Sequence, residues 1–188
     1  MKACVWNPID AFFSQKNSHV LMLCQIFLGS LFLVMCSKMR IPLYPVPITM
    51  QTFGVFLLAI MQGGKRAFCS TLLYLLFASL GLPVLATTAS VSLWWVGPSA
   101  GYLISFPIAA FVIGKMVDSF PQPSSFQLAL SILVSSSIVY FLGVLGLMRM
   151  MNFEQSLSVG LIPFLPMCVI KGIMATFFGT LWVRHVKE

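Results

Sequence analysis

The stretch Phe164-Leu165-Pro166-Met167-Cys168-Val169-Ile170-Lys171-Gly172 opens an apolar run that continues to about Val183, and Lys171 is the only formal charge inside it. A helix rises about 1.5 Å per residue, so Lys171 lies roughly 12 Å past Pro163, below the interface of a membrane span. A charge at that depth costs on the order of 2.5–3.5 kcal/mol on insertion scales and normally faces a cavity or a partner. Phe164, Cys168, Lys171 and Ala175 recur at helical spacing, and Cys168, Gly172, Ala175 and Gly179 form a stripe of small residues beside them. Lys171 is therefore expected to point into a helical bundle. The competing reading is a lysine snorkelling outward on its flexible stem.

Composition supports the membrane setting. Of 188 residues, 59% are hydrophobic and 8% charged, against about 25% charged in soluble domains. The apolar runs are continuous and do not alternate with period two, which excludes a β-barrel. The expected fold is an all-α polytopic membrane protein in a single domain over residues 1–188. A surface segment, 1–18, precedes six transmembrane helices at about 19–37, 48–62, 67–86, 98–117, 126–148 and 164–184. Pro42, Pro45 and Pro47 forbid a continuous helix between the first two. The second helix, ending before Gly63-Gly64, is short for a span, so its start is expected to sit below the surface, against a cavity.

The net charge of +7 comes from basic residues scattered between apolar runs. That pattern fits loop charge in contact with a lipid bilayer, and no nucleic-acid partner is expected. Six spans put Lys2, Lys16, Lys65, Arg66, Lys115, Arg184 and Lys187 on the side of both termini, and Lys38, Arg40 and Arg149 on the other. The positive-inside rule then places both termini in the cytoplasm and the protein in the inner (plasma) membrane. The five cysteines have neither disulfide nor zinc spacing. Gly63-Gly64-Lys65-Arg66 is not a phosphate loop, since Arg66 stands where Ser or Thr is needed. No cofactor or metal is expected, and no nucleophilic triad is present. No Asp or Glu falls within a span, so the usual carboxylate proton relay is missing.

Helices 2, 4 and 6 would all begin on the outer side, each at proline: Pro47, Pro98, and Pro163 with Pro166. Helix starts expose unpaired N–H groups and the positive dipole end, which together with Lys171 favour an anion. Thr49, Gln51, Thr52, Thr87, Thr88, Ser90, Ser99 and Tyr102 supply neutral hydrogen bonders. Trp94 and Trp95 read equally as an aromatic belt or as packing for an apolar ring. Gly97, Gly101, Ser105 and Ala109 form a second small-residue ladder. A solute-binding membrane protein fits these residues better than an enzyme, which would have to work through Lys171 alone.

Three stretches carry a family resemblance. Pro45-Val46-Pro47-Ile48-Thr49-Met50-Gln51-Thr52-Phe53 resembles the first loop and second-helix start of the BioY family, the biotin-binding S components of energy-coupling factor (ECF) transporters. Gly81-Leu82-Pro83-Val84-Leu85-Ala86 and Gly97-Pro98-Ser99-Ala100-Gly101-Tyr102-Leu103-Ile104 match its third-helix end and its Gly-Pro-Thr-Gly-Gly-Tyr segment. Pro163-Phe164-Leu165-Pro166, with Ile170-Lys171, matches the sixth-helix motif Pro-Phe-Leu-Pro-Gly-Asp-x-x-Lys. The resemblance implies a six-helix S-component bundle whose outward pocket takes biotin, with the loop before helix 2 as lid. Its partners would be a membrane scaffold subunit and two ATPase subunits. The substrate-binding residues it suggests are Lys171, Cys168, Gln51, Thr49, Thr87, Tyr102, Trp94 and Gly97.

The chain departs from the family pattern at Cys168, where the motif has Asp, at Met167, where it has Gly, and at Thr87, often Asn. Lys171 is thereby left without a carboxylate partner on its own helix, and a ligand's carboxylate is expected to act as its counter-ion. In helix 1 the small-residue AxxxA pattern that S components offer to the scaffold is not intact, and Gly29-Ser30 is the nearest remnant. Two alternatives to biotin capture stay open: an S component for another small anionic ring compound, and a stand-alone facilitator.

Overall fold

A computed structural model of the chain describes residues 18–86 and 94–185; the expectations for the 1–18 surface segment and for Thr87, Thr88 and Ser90 fall largely or wholly outside them. Among the described residues the helices are α1 (Ser18–Lys38), α2 (Gln51–Gln62), α3 (Gly64–Ser79), α4 (Ala100–Asp118), α5 (Ser125–Leu147), α6 (Phe153–Gly160) and α7 (Phe164–His185). Two short strands, β1 (Arg40–Ile41) and β2 (Ile48–Thr49), pair antiparallel with Arg40 opposite Thr49, and a 3-10 turn covers Trp94–Val96.

Four of these helices, α1, α4, α5 and α7, are long and apolar enough to cross a membrane. α2, with 12 residues, and α3, with 16, are shorter. The difference from the six expected spans has a local cause. Ile48 and Thr49, expected to open helix 2, are taken by the β ribbon, so α2 begins only at Gln51. Helix 3 was expected over 67–86, but α3 runs from Gly64 to Ser79 and the chain then turns at Gly81, whose φ of 79° lies in the left-handed region. α6 occupies what the sequence reads as a plain connection; it opens at Asn152, and Ser156 Oγ donates back to the Asn152 carbonyl.

The bundle is apolar outside as well as inside, around a core that includes Leu33, Val55, Phe56, Ile60, Ile113 and Leu128. Large apolar side chains such as Leu23, Leu28, Met35, Leu133, Val169, Ile173 and Phe177 face outward, while Ser30, Ser37, Ser70, Ser105, Ser131 and Ser135 are buried. In lipid the apolar surface needs no cover, and interior hydroxyls are satisfied locally: Ser30, Ser105 and Ser131 donate to carbonyls three residues back. α2 lies in the middle, touching α1, α3, α4 and α7, and eight of its side chains or glycines are buried.

Small residues set the helix spacing, as the ladders implied. A Cβ on Gly101 would lie 2.2 Å from the Leu142 carbonyl oxygen, so α4 and α5 meet backbone to backbone. Below it, Ser135 Oγ donates to the Ala109 carbonyl at 3.4 Å. On α7 the stripe is used only in part. Gly179 packs on Ile60 of α2, whereas a Cβ on Gly172 would touch nothing closer than Ile132 at 3.6 Å. Gly29 and Ser30 are turned inward: Ser30 is fully buried, and a Cβ on Gly29 would lie 2.6 Å from Gln62 Nε2. This remnant of a docking pattern packs α1 onto α2 and α3, and it is not free for a partner. At the opposite end of the bundle from the ribbon, the Gly64 N–H donates to the Asp118 carboxylate at 3.1 Å. There a Cβ on Gly114 would lie 2.2 Å from the Gly64 nitrogen, which seats the basic turn on α4.

Candidate functional site: a cavity around a buried lysine

Lys171 is 2% exposed. It shares the buried face of α7 with Phe164, Ala175, Gly179 and Val183, a spacing of seven, four, four and four that keeps all five on one side of the helix. The inward reading of this lysine thus holds over snorkelling. Its ammonium donates to the Thr49 carbonyl of β2 at 2.7 Å, its one hydrogen bond among the described residues. An ammonium has three protons, so two donors remain for a ligand. The chain's four carboxylates are Asp10, Asp118, Glu154 and Glu188, and none lies on a neighbouring turn of α7.

The ammonium sits on the wall of a cavity of about 210 Å³. The three helix starts expected to converge do so: Gln51 of α2, Pro98 and Ser99 before α4, and Phe164 at the start of α7 all line it. Pro45, Val46 and Pro47, in the loop closed by the β ribbon, line it from above. Tyr102, Tyr140, Phe106 and Trp94 make the wall largely aromatic. Tyr102 stacks on Phe164 with ring centroids 5.9 Å apart and 20° between planes. Its hydroxyl donates to the Gly160 carbonyl at 2.6 Å, tying the end of α6 to α4. Such a wall suits an apolar or planar solute, with Lys171, Thr49, Gln51 and Ser99 as the polar points that fix orientation.

Of the residues singled out in sequence, Lys171, Thr49, Gln51, Tyr102, Trp94 and Gly97 line this one cavity. The two tryptophans divide between the two readings offered for them. Trp94 faces the cavity and donates Nε1–H to Ser79 Oγ at 3.0 Å, while Trp95 is 41% exposed. Cys168 is not on the cavity wall. It lines a shallower groove between α5 and α7, because α7 turns Phe164 and Lys171 inward and leaves Cys168 at the edge of that face. Thr87 lies outside the described residues.

Sequence reasoning missed Tyr140, Phe106, Val139 and Leu85, which also line the cavity. Tyr140 alone carried a usable signal: a tyrosine in the middle of a span needs a partner for its hydroxyl and is seldom turned to lipid. The segment bearing Leu85 is strapped down by the end of α1. Ser37 Oγ donates to the Val84 carbonyl at 2.5 Å, and Lys38 Nζ donates to the Leu85 carbonyl at 3.1 Å and also to that of Pro83.

A multi-pass helical membrane protein with one lysine-bearing, aromatic cavity at the helix starts belongs to the class that captures small solutes within the bilayer. The comparisons narrow this class to a family. The family model described as the BioY family matches residues 13–188. The chain is 37% identical over 149 residues to the biotin transporter BioY of Thermotoga maritima, covering 78% of this chain and 86% of that protein. It is 30% identical over 158 residues to the probable biotin transporter BioY of Pyrococcus horikoshii, covering 82% and 93%. The crystal structure of an S component for biotin from an ECF-type ABC transporter superposes with a TM-score of 0.78 at 26% identity, covering 94% of this chain and 96% of that one. The chain belongs to the BioY family.

Proposed function

We propose that the protein is the biotin-capturing S component of an ECF transporter, taking biotin into the cavity around Lys171 for uptake. The observation that carries this is the buried ammonium with two unused protons in an aromatic cavity whose relatives are named for biotin. Biotin matches the cavity's chemistry. It has a carboxylate for Lys171, with Thr49 and Gln51 beside it, or for a helix start, an apolar chain for the aromatic wall, and a ureido ring for neutral hydrogen bonders such as Ser99 and Thr52. Lys171, Gln51, Thr49, Tyr102, Trp94 and Gly97 are the proposed contacts, with Thr87 an expected neighbour and Cys168 set just behind the wall.

Six crossings are proposed, counting α2 and α3 with the loops that lengthen them, and leaving α6 at the surface. The cavity then opens at the end holding Lys38 and Arg40, and the end holding Lys65, Arg66, Lys115 and Arg184 faces the cytoplasm with both termini, in the plasma membrane. ATP-binding motifs are missing from the sequence, so the energy for uptake is assigned to partners: a membrane scaffold subunit and two ATPases. The chain's part is binding and translocation, with no bond made or broken in the solute.

Equilibrium binding of labelled biotin to the purified protein tests this, with Lys171→Ala beside the wild type. Losing a buried charge-assisted contact should weaken binding about ten- to a hundredfold. No binding to the wild type would overturn the biotin assignment. Tight binding untouched by the substitution would move the carboxylate to the helix starts.

A further inference from the structure

Tyr74 does not line the cavity. It is 1% exposed on α3, and its hydroxyl accepts a hydrogen bond from Gln51 Nε2 at 2.6 Å. Gln51 Oε1 in turn accepts from Thr49 Oγ1 at 3.0 Å, and the Thr49 carbonyl is the acceptor for Lys171. On its other side the Tyr74 hydroxyl donates to the Val84 carbonyl at 3.4 Å, the same oxygen that accepts from Ser37 Oγ. One hydroxyl thus links three walls of the cavity: the start of α2, the strap at 83–85, and, through Thr49, the ammonium on α7.

From this chain of bonds we infer that Tyr74 is a positioning residue for capture, one that aims the Lys171 ammonium at the ligand's carboxylate from behind the wall. The physical reason lies in what fixes Thr49. β2 is two residues long and ends at Thr49; the Thr49–Met50 peptide that holds the lysine is pinned through its N–H, which donates to the Met39 carbonyl at 3.0 Å, and its rotation about that bond is fixed from the Thr49 side chain. The side chain of Thr49 is anchored to Gln51, and Gln51 has an amide that must be satisfied inside the bundle. Tyr74 supplies that partner. Without it the Gln51 amide would turn toward another acceptor, and the Thr49 peptide would keep its bond to Met39 but lose its second, side-chain anchor. The lysine protons would no longer be held in one direction.

This inference rests on the biotin reading, and the test separates the two. Binding of biotin and of its methyl ester is measured on wild type and Tyr74→Phe, with thermal unfolding of each in the same detergent. Tyr74→Phe should weaken biotin binding about tenfold, the scale of one hydrogen bond. It should leave the ester, which lacks the carboxylate, within about twofold of its wild-type affinity. A merely structural tyrosine would lower the unfolding temperature and weaken both ligands equally, or neither, and either result overturns the inference. Absence of biotin binding in the wild type would instead overturn the biotin reading. Should Tyr74→Phe fail to accumulate, Thr49→Val breaks the next bond of the chain with little change in shape. It should show the same selective loss of biotin over ester, and an equal loss on both ligands overturns the inference there too.

Discussion

Lys171 is the one charged side chain among the buried described residues, and its environment explains why it is tolerated. A peptide carbonyl neutralises part of its charge, and the aromatic wall leaves room for an anion to supply the rest. The family pattern puts Asp at position 168, and this chain has Cys there, three residues before the lysine. In the structure that side chain belongs to the α5–α7 groove and lies behind the cavity wall. Cys168→Ser, which keeps size and hydrogen-bonding capacity, should therefore change biotin affinity by less than about threefold, under about 0.7 kcal/mol. A larger loss in the same binding assay would return position 168 to the ligand's contacts.

Helices carry the site through their starts and their spacing. α2 is short because the ribbon takes its expected first residues, and that is how Gln51 comes to lie at depth beside Lys171. α4 and α5 are locked by glycine, with no space for a Cβ at Gly101, whereas at Gly172 of α7 a Cβ would make an ordinary contact with Ile132 at 3.6 Å. Gly101→Ala should cost about 1–3 kcal/mol by overpacking, seen as a lower unfolding temperature, while Gly172→Ala should be close to neutral. Equal effects would contradict the close contact of α4 and α5. Much of this was legible in the chain. The prolines at 42–47 marked the break after α1, the ladder Gly101, Ser105, Ala109 marked the α4 face, and Lys171 marked the cavity. Hidden features depended on non-local partners. The pairing of Arg40 with Thr49 needs the loop closed in space, and the turn at Gly81 ended α3 despite an apolar sequence that reads as helix. Cys168, expected among the substrate contacts, falls at the edge of the buried face of α7 in the α5–α7 groove, because a helical face about 100° wide has edges that sequence spacing does not resolve.

At the scale of the molecule, the buried polar groups include the serines between helices and the Thr49–Gln51–Lys171 set at the cavity, and large apolar side chains face outward. The chain has no carboxylate within its four long apolar helices except Asp118 at the very end of α4, bonded to Gly64. A carboxylate proton relay along these four helices therefore has no residues to run through, in keeping with the proposed assignment of the drive for uptake to partner subunits. The small-residue site of α1 is used internally, so the proposed docking on a scaffold subunit would use another face, such as the exposed apolar sides of α1, α5 and α7. On the proposed function these parts jointly serve one encounter, between a carboxylate entering from the ribbon end and the ammonium of Lys171. Competition of unlabelled biotin and biotin methyl ester for the labelled vitamin on the intact wild-type protein measures that encounter directly. The ester should bind about ten- to a hundredfold more weakly than biotin, whereas equal affinities would contradict the counter-ion role at the centre of the mechanism.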